Sequence, residues 1–116
     1  DSKWLEFILG QIISNSVKYV RGDSRKISFD AFEDENKTVL TITDYGIGIP
    51  QKDIANVFEK SFTGENGRKV EKATGMGLYI CKKLCKKLGH NIWIESVENS
   101  YTKVYIAFGK ENYYVM

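Results

Sequence analysis

Asp44-Tyr45-Gly46-Ile47-Gly48-Ile49-Pro50 follows directly on the strand-like run Thr38-Val39-Leu40-Thr41-Ile42-Thr43, and the rest of the chain reads outward from it. A carboxylate at the end of a buried strand, with two glycines one residue apart behind it, lets backbone and ligand approach where side chains would block them. The stretch reads as a pocket floor. A second glycine pair, in Gly75-Met76-Gly77-Leu78, opens an apolar-periodic segment and can offer backbone N–H groups to phosphates at a helix start. A long polar insert separates the two.

Upstream, Leu5, Ile8, Leu9, Ile12, Ile13, Ser16 and Val20 form one face of a helix expected from about Trp4 to Val20, with Asp1 or Ser2 placed to cap it. Gln11, Asn15, Lys18 and Tyr19 fall within an arc of about 100° on a different face. Arg21-Gly22-Asp23 ends the helix. Lys26 to Phe32 alternates, and Glu33-Asp34-Glu35-Asn36-Lys37 turns it into Thr38–Thr43 as a β-hairpin. Pro50 suits the first turn of a short helix reaching about Phe58, with Ile54, Val57 and Phe58 facing inward.

Residues 59–74 have no clean period and read as a mobile loop. A second long helix is expected from Met76 to Leu88, stopped by Gly89, with Lys82, Lys83, Lys86 and Lys87 on its solvated side. Ile92–Val97 and Thr102–Phe108, joined by Glu98-Asn99-Ser100-Tyr101, make a closing hairpin, followed by a tail over residues 109–116. The order gives an α+β fold: a two-layer sandwich of one mixed β-sheet with helices on one face, in a single domain over residues 1–108.

A chain of 116 residues buries one core without staples. It has no apolar run of membrane-spanning length and no signal-peptide pattern, so it is expected to be soluble. It begins at a helix start without an initiator methionine, which suggests a domain excised from a longer protein. A net charge of +2 is too small to argue for nucleic acid or an anionic membrane surface. Cys81 and Cys85 lie on the helix face that carries Leu78, Leu84 and Leu88, and read as small core hydrophobes in a reducing compartment. A metal site built from them and His90 lacks a fourth ligand.

The order of motifs is what points to a family. Asn15-x-x-Lys18-Tyr19 on a helix, Asp44-x-Gly46-x-Gly48-Ile49 after a strand, Phe58 and Phe62 around a short charged stretch, then Thr74-Gly75-x-Gly77-Leu78 opening a helix, resembles the ATP-binding catalytic domain of sensor histidine kinases. That domain has the Bergerat (GHKL) fold, shared with gyrase, the Hsp90 chaperones and the MutL repair proteins. The wording around Phe62–Arg68 and Tyr79–Lys82 looks most like the Gram-positive sensors that answer peptide antibiotics.

The resemblance implies a role for each motif residue. Asp44 would accept a hydrogen bond from the adenine amine, Gly46 and Gly48 would let backbone lie against the purine, and Ile49 would cover it. Asn15 would bind Mg²⁺ through its amide oxygen, with Gln11 reaching a metal-bound water. Lys18 would orient phosphate and Tyr19 would pack on the base or sugar side. Gly75, Met76, Gly77 and Leu78 would supply the phosphate-binding turn. Residues 59–74 would be the ATP lid, with Phe62 at the nucleotide and Arg68, Lys69 or Lys72 reaching the γ-phosphate.

The relatives that hydrolyse ATP or phosphorylate serine carry a glutamate base where Gln11 stands, and an amide cannot take that proton. The resemblance therefore implies an ATP-dependent histidine kinase fragment, monomeric by itself. It would act on a phosphoacceptor histidine in a dimerisation domain, with a response regulator downstream, on the cytoplasmic side of the cell membrane. The alternatives are a non-catalytic interaction module of the same fold, or another GHKL ATPase or anti-sigma kinase. Residue by residue, a plainer reading also exists: Asn15 and Lys18 as solvated helix positions, Asp44 as the start of an Asx-turn, Gly75 and Gly77 as a flexible loop end.

Overall fold

A computed structural model describes residues 2–18, 26–59 and 77–109, with the side chains of Ser2 and of residues 16–18 outside that description. The elements are α1 (Ser2–Lys18), β1 (Ile27–Asp34), β2 (Lys37–Asp44), a short α2 (Gln51–Ile54), α3 (Gly77–Lys87), β3 (Asn91–Val97) and β4 (Tyr101–Gly109). Each expected helix and strand is present among the described residues; the expected end of α1 at Val20 and start of α3 at Met76 lie outside them. The first hairpin turn is tighter than expected because Glu35 adopts φ 54°, so β1 extends to Asp34. Pro50 lies just before α2 rather than in its first turn, with ψ 142°, and its carbonyl accepts the Asp53 N–H at 2.9 Å.

The sheet has the order β1-β2-β4-β3, and every described pairing is antiparallel. Among the described residues the sheet is therefore antiparallel throughout, where the sequence led to the expectation of a mixed one. The chain leaves β2, passes through α2 and α3, and enters β3 at the far edge. β4 then returns between β3 and β2, so no two described neighbours run the same way.

Strand alternation sorts the two faces. Leu40–Ile106–Ile92 and Ile42–Val104–Ile94 form cross-strand rows on the inner face. They meet Ile8 and Ile12 of α1 and Cys81 and Cys85 of α3 in one apolar cluster. The helices accordingly cover this one face, as the two-layer reading requires. On the opposite face Trp93 and Tyr105, paired in register, stack at 5.0 Å.

Helices α1 and α3 pack antiparallel. The Cys81 thiol lies 4.0 Å from the Ile8 carbonyl, and Trp4 stacks on His90, just beyond the end of α3, at 4.8 Å. His90 also meets Phe108 edge-on and accepts the Gly109 N–H at Nδ1, 3.1 Å away. His90 is a clasp between the start of α1 and the end of β4. Lys82, Lys83, Lys86 and Lys87 are exposed, as expected of the solvated side of α3, and the ammonium of Lys82 reaches over the Phe58 ring and donates to the Ile92 carbonyl at 3.4 Å. No helix among the described residues is long and apolar enough to cross a membrane.

Both thiols are fully buried, as the apolar reading of α3 requires. Burial, reinforced by the neighbouring Cys85, pushes Cys81 up to about 12, and burial pushes Cys85 up to about 11 against the opposing effect of Lys82. Above pH 9 the unfolded chain releases these protons while the folded chain keeps them. Stability is therefore intact below pH 9 and falls as pH rises towards 11–12. The slope is at most about 1.4 kcal/mol per pH unit for each thiol. Urea unfolding at pH 8, 9 and 10 is expected to show this decline in the native chain and a flatter one in Cys81→Ala/Cys85→Ala.

Candidate functional site

The end of β2 places a polar row where the apolar rows stop. Asp44 pairs with Thr102 of β4, and Thr102 with Ser96 of β3, all on the inner face. Asp44 is half-buried, and its Oδ1 accepts the Gly46 N–H at 3.0 Å. The Asx-turn reading of Asp44 is thus correct. It does not compete with a binding role, because a carboxylate has about four acceptor positions and the turn fixes its orientation.

The loop behind Asp44 is held by the β3–β4 hairpin. Asn99, in the left-handed region at φ 65°, donates its N–H to the Ile47 carbonyl at 2.6 Å. The Ile49 N–H donates to Ser96 Oγ at 2.8 Å, and Ser96 donates its own proton to the Tyr101 carbonyl at 2.6 Å. Thr102 Oγ1 lies 2.9 Å from the same oxygen and must act as donor there, since the Ser96 proton is already placed. Ser96 therefore uses one donor and two acceptor positions, all that a hydroxyl has.

Gly48 shows why glycine is needed here. It has φ +71°, and a Cβ on it would overlap the Val97 carbonyl oxygen and come within 2.9 Å of Glu98 Cα. The side of Gly48 on which a Cβ would stand is thus filled by the hairpin backbone. Gly46 is buried through its own turn, and Ile49 is half-buried with its N–H engaged.

The helices supply the opposite wall. Gln11 and Asn15 are half-buried, and a Cβ on Gly77 would come within 2.5 Å of Gln11 Oε1. Gly77 and half-buried Leu78 are the first described residues of α3. Three lengths bring these groups to one end. From Trp4 to Asn15 is roughly 16 Å of helix, α3 is roughly 16 Å long, and Asn91 to Ser96 is roughly 17 Å of strand. Each has one end at His90: Trp4 of α1 stacks on it, α3 runs into it and β3 leaves from it. Asn15, the α3 N-terminus and the Asp44–Thr102–Ser96 row are therefore at the other.

Tyr19, Phe62, Arg68, Lys69, Lys72, Gly75 and Met76 lie outside the described residues, as do the Lys18 side chain and all of the expected lid but Glu59. Sequence reasoning missed Ser96 and Thr102. The signal was present, since both fall in the inward parity of their strands, Ser96 with Ile92 and Ile94 and Thr102 with Val104 and Ile106. A small hydroxyl residue at an inward strand position needs a buried partner.

Residues 1–112 match the family described as "Histidine kinase-, DNA gyrase B-, and HSP90-like ATPase". The chain belongs to this family. Among curated relatives it is 44% identical over 108 residues to the Sensor histidine kinase YxdK of Bacillus subtilis, covering 93% of this chain and 33% of that protein. It is 40% identical over 115 residues to the Sensor protein BceS of Halalkalibacterium halodurans, covering 99% and 34%. It is 33% identical over 112 residues to the Sensor histidine kinase GraS of Staphylococcus epidermidis, covering 97% and 32%. These are the Gram-positive sensor kinases to which the narrower resemblance pointed. The chain spans about a third of the length of each.

Solved structures bear out the fold. The mycobacterial sensor histidine kinase MprB superposes with a TM-score of 0.81 at 24% identity, covering 93% of this chain and 73% of that one. The catalytic domain of the histidine kinase ThkA does so at 0.75 and 24%, covering 93% and 68%. In this chain the Ser96 latch ties the Asp44 loop to the β3–β4 hairpin. Ser96→Ala leaves the Ile49 N–H without its acceptor and is expected to cost about 1–3 kcal/mol in urea unfolding. Gly48→Ala adds a Cβ in the left-handed region, about 1–2 kcal/mol by itself, and is expected to cost more because the hairpin backbone blocks it.

Proposed function

We propose that this chain is the ATP-binding catalytic domain of a sensor histidine kinase. It passes the γ-phosphoryl group of ATP to a histidine on a separate dimerisation domain, from which a response regulator receives it. The observation that carries the reading is the convergence of Asp44, Asn15 and the α3 N-terminus at one end of the layer between sheet and helices. A half-buried carboxylate suits the adenine amine, and a helix N-terminus suits phosphate.

Asp44 chooses the base. Its carboxylate accepts from an exocyclic amine, which guanine does not present at that place, and the Gly46 N–H holds Oδ1 in one orientation. Thr102, across the strand pair, adds a hydroxyl beside it. Lys18 places a positive charge near the phosphates, and residues 59–74 form the lid that covers the nucleotide, with Arg68 as its cation.

The residues present fit Mg²⁺. Asn15 offers a hard amide oxygen one turn beyond the point where α1 meets α3. The described residues contain no group of three or more His, Cys, Asp or Glu that could hold a metal by themselves. A site completed by phosphate oxygens and water suits this ion. Bound there, Mg²⁺ would neutralise charge on the transferred group. Asn15 would hold it, and the α3 amides would orient the phosphate chain.

His90 is not the acceptor. Its ring is packed between Trp4 and Phe108 at the far end of α3, roughly 16 Å from Gly77 along the helix. The phosphoacceptor therefore belongs to another domain, and the parent protein is membrane-anchored with this domain on the cytoplasmic side, where ATP is.

Calorimetric titration with ATP and GTP, each with and without Mg²⁺, tests the site. ATP is expected to bind and GTP to fail. Asp44→Asn is expected to weaken ATP about 10- to 100-fold, the value of a hydrogen bond to a charged group. Phosphohistidine should form when the dimerisation domain of a sensor kinase relative is supplied in trans with Mg²⁺ and ATP. A folded chain that binds neither nucleotide would return the reading to a non-catalytic interaction module.

A further inference from the structure

Gln11 stands where hydrolytic relatives would carry a base, yet its described neighbour is a glycine. Its Oε1, Cδ and Cβ lie 2.5, 3.4 and 3.8 Å from the point a Cβ of Gly77 would occupy. These are the nearest atoms to that point, so the Gln11 side chain fills the notch that glycine leaves in the first turn of α3. Gly77 has no left-handed φ, so the notch and not the backbone conformation is what glycine provides there.

The notch lies on a line of contacts between the two antiparallel helices. Trp4, Gln11 and Asn15 fall within an arc of about 40° on α1. Trp4 meets His90 beyond the end of α3, Ile8 meets Cys81 in its middle, and Gln11 meets Gly77 at its start. Asn15 comes one turn later, about 6 Å along the axis, and so stands beyond the first described turn of α3. The offset between Asn15 and that first turn is set at the last contact before them.

Resting on the nucleotide-site reading above, we propose that Gln11 is a positioning residue. Its side chain is a wedge seated in the Gly77 notch, and it sets the distance between the metal ligand Asn15 and the described first turn of α3, Gly77 to Ile80. The wedge acts by shape. It does not act on the base pocket, which is built from the other end of the sheet row and from the β3–β4 hairpin.

A double-mutant cycle tests this. Mg·ATP and adenosine affinities are measured by calorimetry for the native chain, Gln11→Ala, Gly77→Ala, the double variant and Gln11→Met. Removing or expelling the wedge is expected to weaken Mg·ATP about tenfold in either single variant, the scale of coupling between side chains in contact. The double variant should be no weaker than Gln11→Ala, because both changes remove one interaction. Adenosine, which has no phosphate, should bind all of them alike. Gln11→Met, similar in length but without the amide, should restore most of what Gln11→Ala loses.

Additive losses in the double variant, or equal losses for adenosine, would overturn the proposal. So would a Gln11→Met as weak as Gln11→Ala, which would return Gln11 to a polar role on a metal-bound water. Thermal unfolding of the same variants without ligand separates the two layers of argument. If the native chain binds no nucleotide, the nucleotide-site reading fails, while non-additive shifts in Tm still support the wedge and additive ones refute it.

Discussion

The hydroxyl of Ser96 is the interaction on which the geometry of the site depends. It accepts the Ile49 N–H, donates to the Tyr101 carbonyl and receives the Thr102 hydroxyl. These four groups belong to three segments, and one saturated oxygen ties the loop behind β2 to the β3–β4 hairpin. A buried backbone N–H without a partner is costly, so the loop has little freedom to leave this arrangement. The bond from Asn99 to Ile47 and the close approach of Gly48 to Val97 and Glu98 reinforce it. Asp44 inherits its position from that latch.

The second constraint is the antiparallel pair of helices. Ile8, Ile12, Cys81 and Cys85 seal it with apolar surface. Cysteine suits this place because it is small and, when buried, has little tendency to ionise. The edge of the same contact is polar or aromatic, and it carries Trp4, Gln11 and Asn15 in sequence. A single helix thereby serves two functions along one flank: its start clasps the end of β4 through His90, and its end presents an amide ahead of α3. The His90 clasp and Asn15 lie at opposite ends of one interface.

The sequence was legible wherever a periodicity or a motif was local. The alternation in Ile27–Asp34, Lys37–Asp44, Asn91–Val97 and Tyr101–Gly109 announces strands, and the spacing around Ile8 and Ile12 announces a helix. Motif order carried the family. What was not legible depended on partners distant in the chain. The close approach of Gly48 to Val97 spans 49 positions, and the latch from Ile49 to Ser96 spans 47. Lys82 is exposed as its place on α3 implies, but its contact with Phe58 joins residues 24 positions apart. The sheet was expected to be mixed because no local signal tells which edge the chain joins after α3.

By itself, then, the sequence determined the elements, their inward and outward faces and the residue types available for an adenine and phosphate site. These follow from side-chain period, turn chemistry and motif order, all of which act over a few residues. Only the tertiary structure decided that β4 lies between β2 and β3, that Ser96 and Gly48 lock the Asp44 loop, and that Gln11 fills the space beside Gly77. Each of these is a contact between segments far apart in the chain, where the shape of one surface selects what fits on the other.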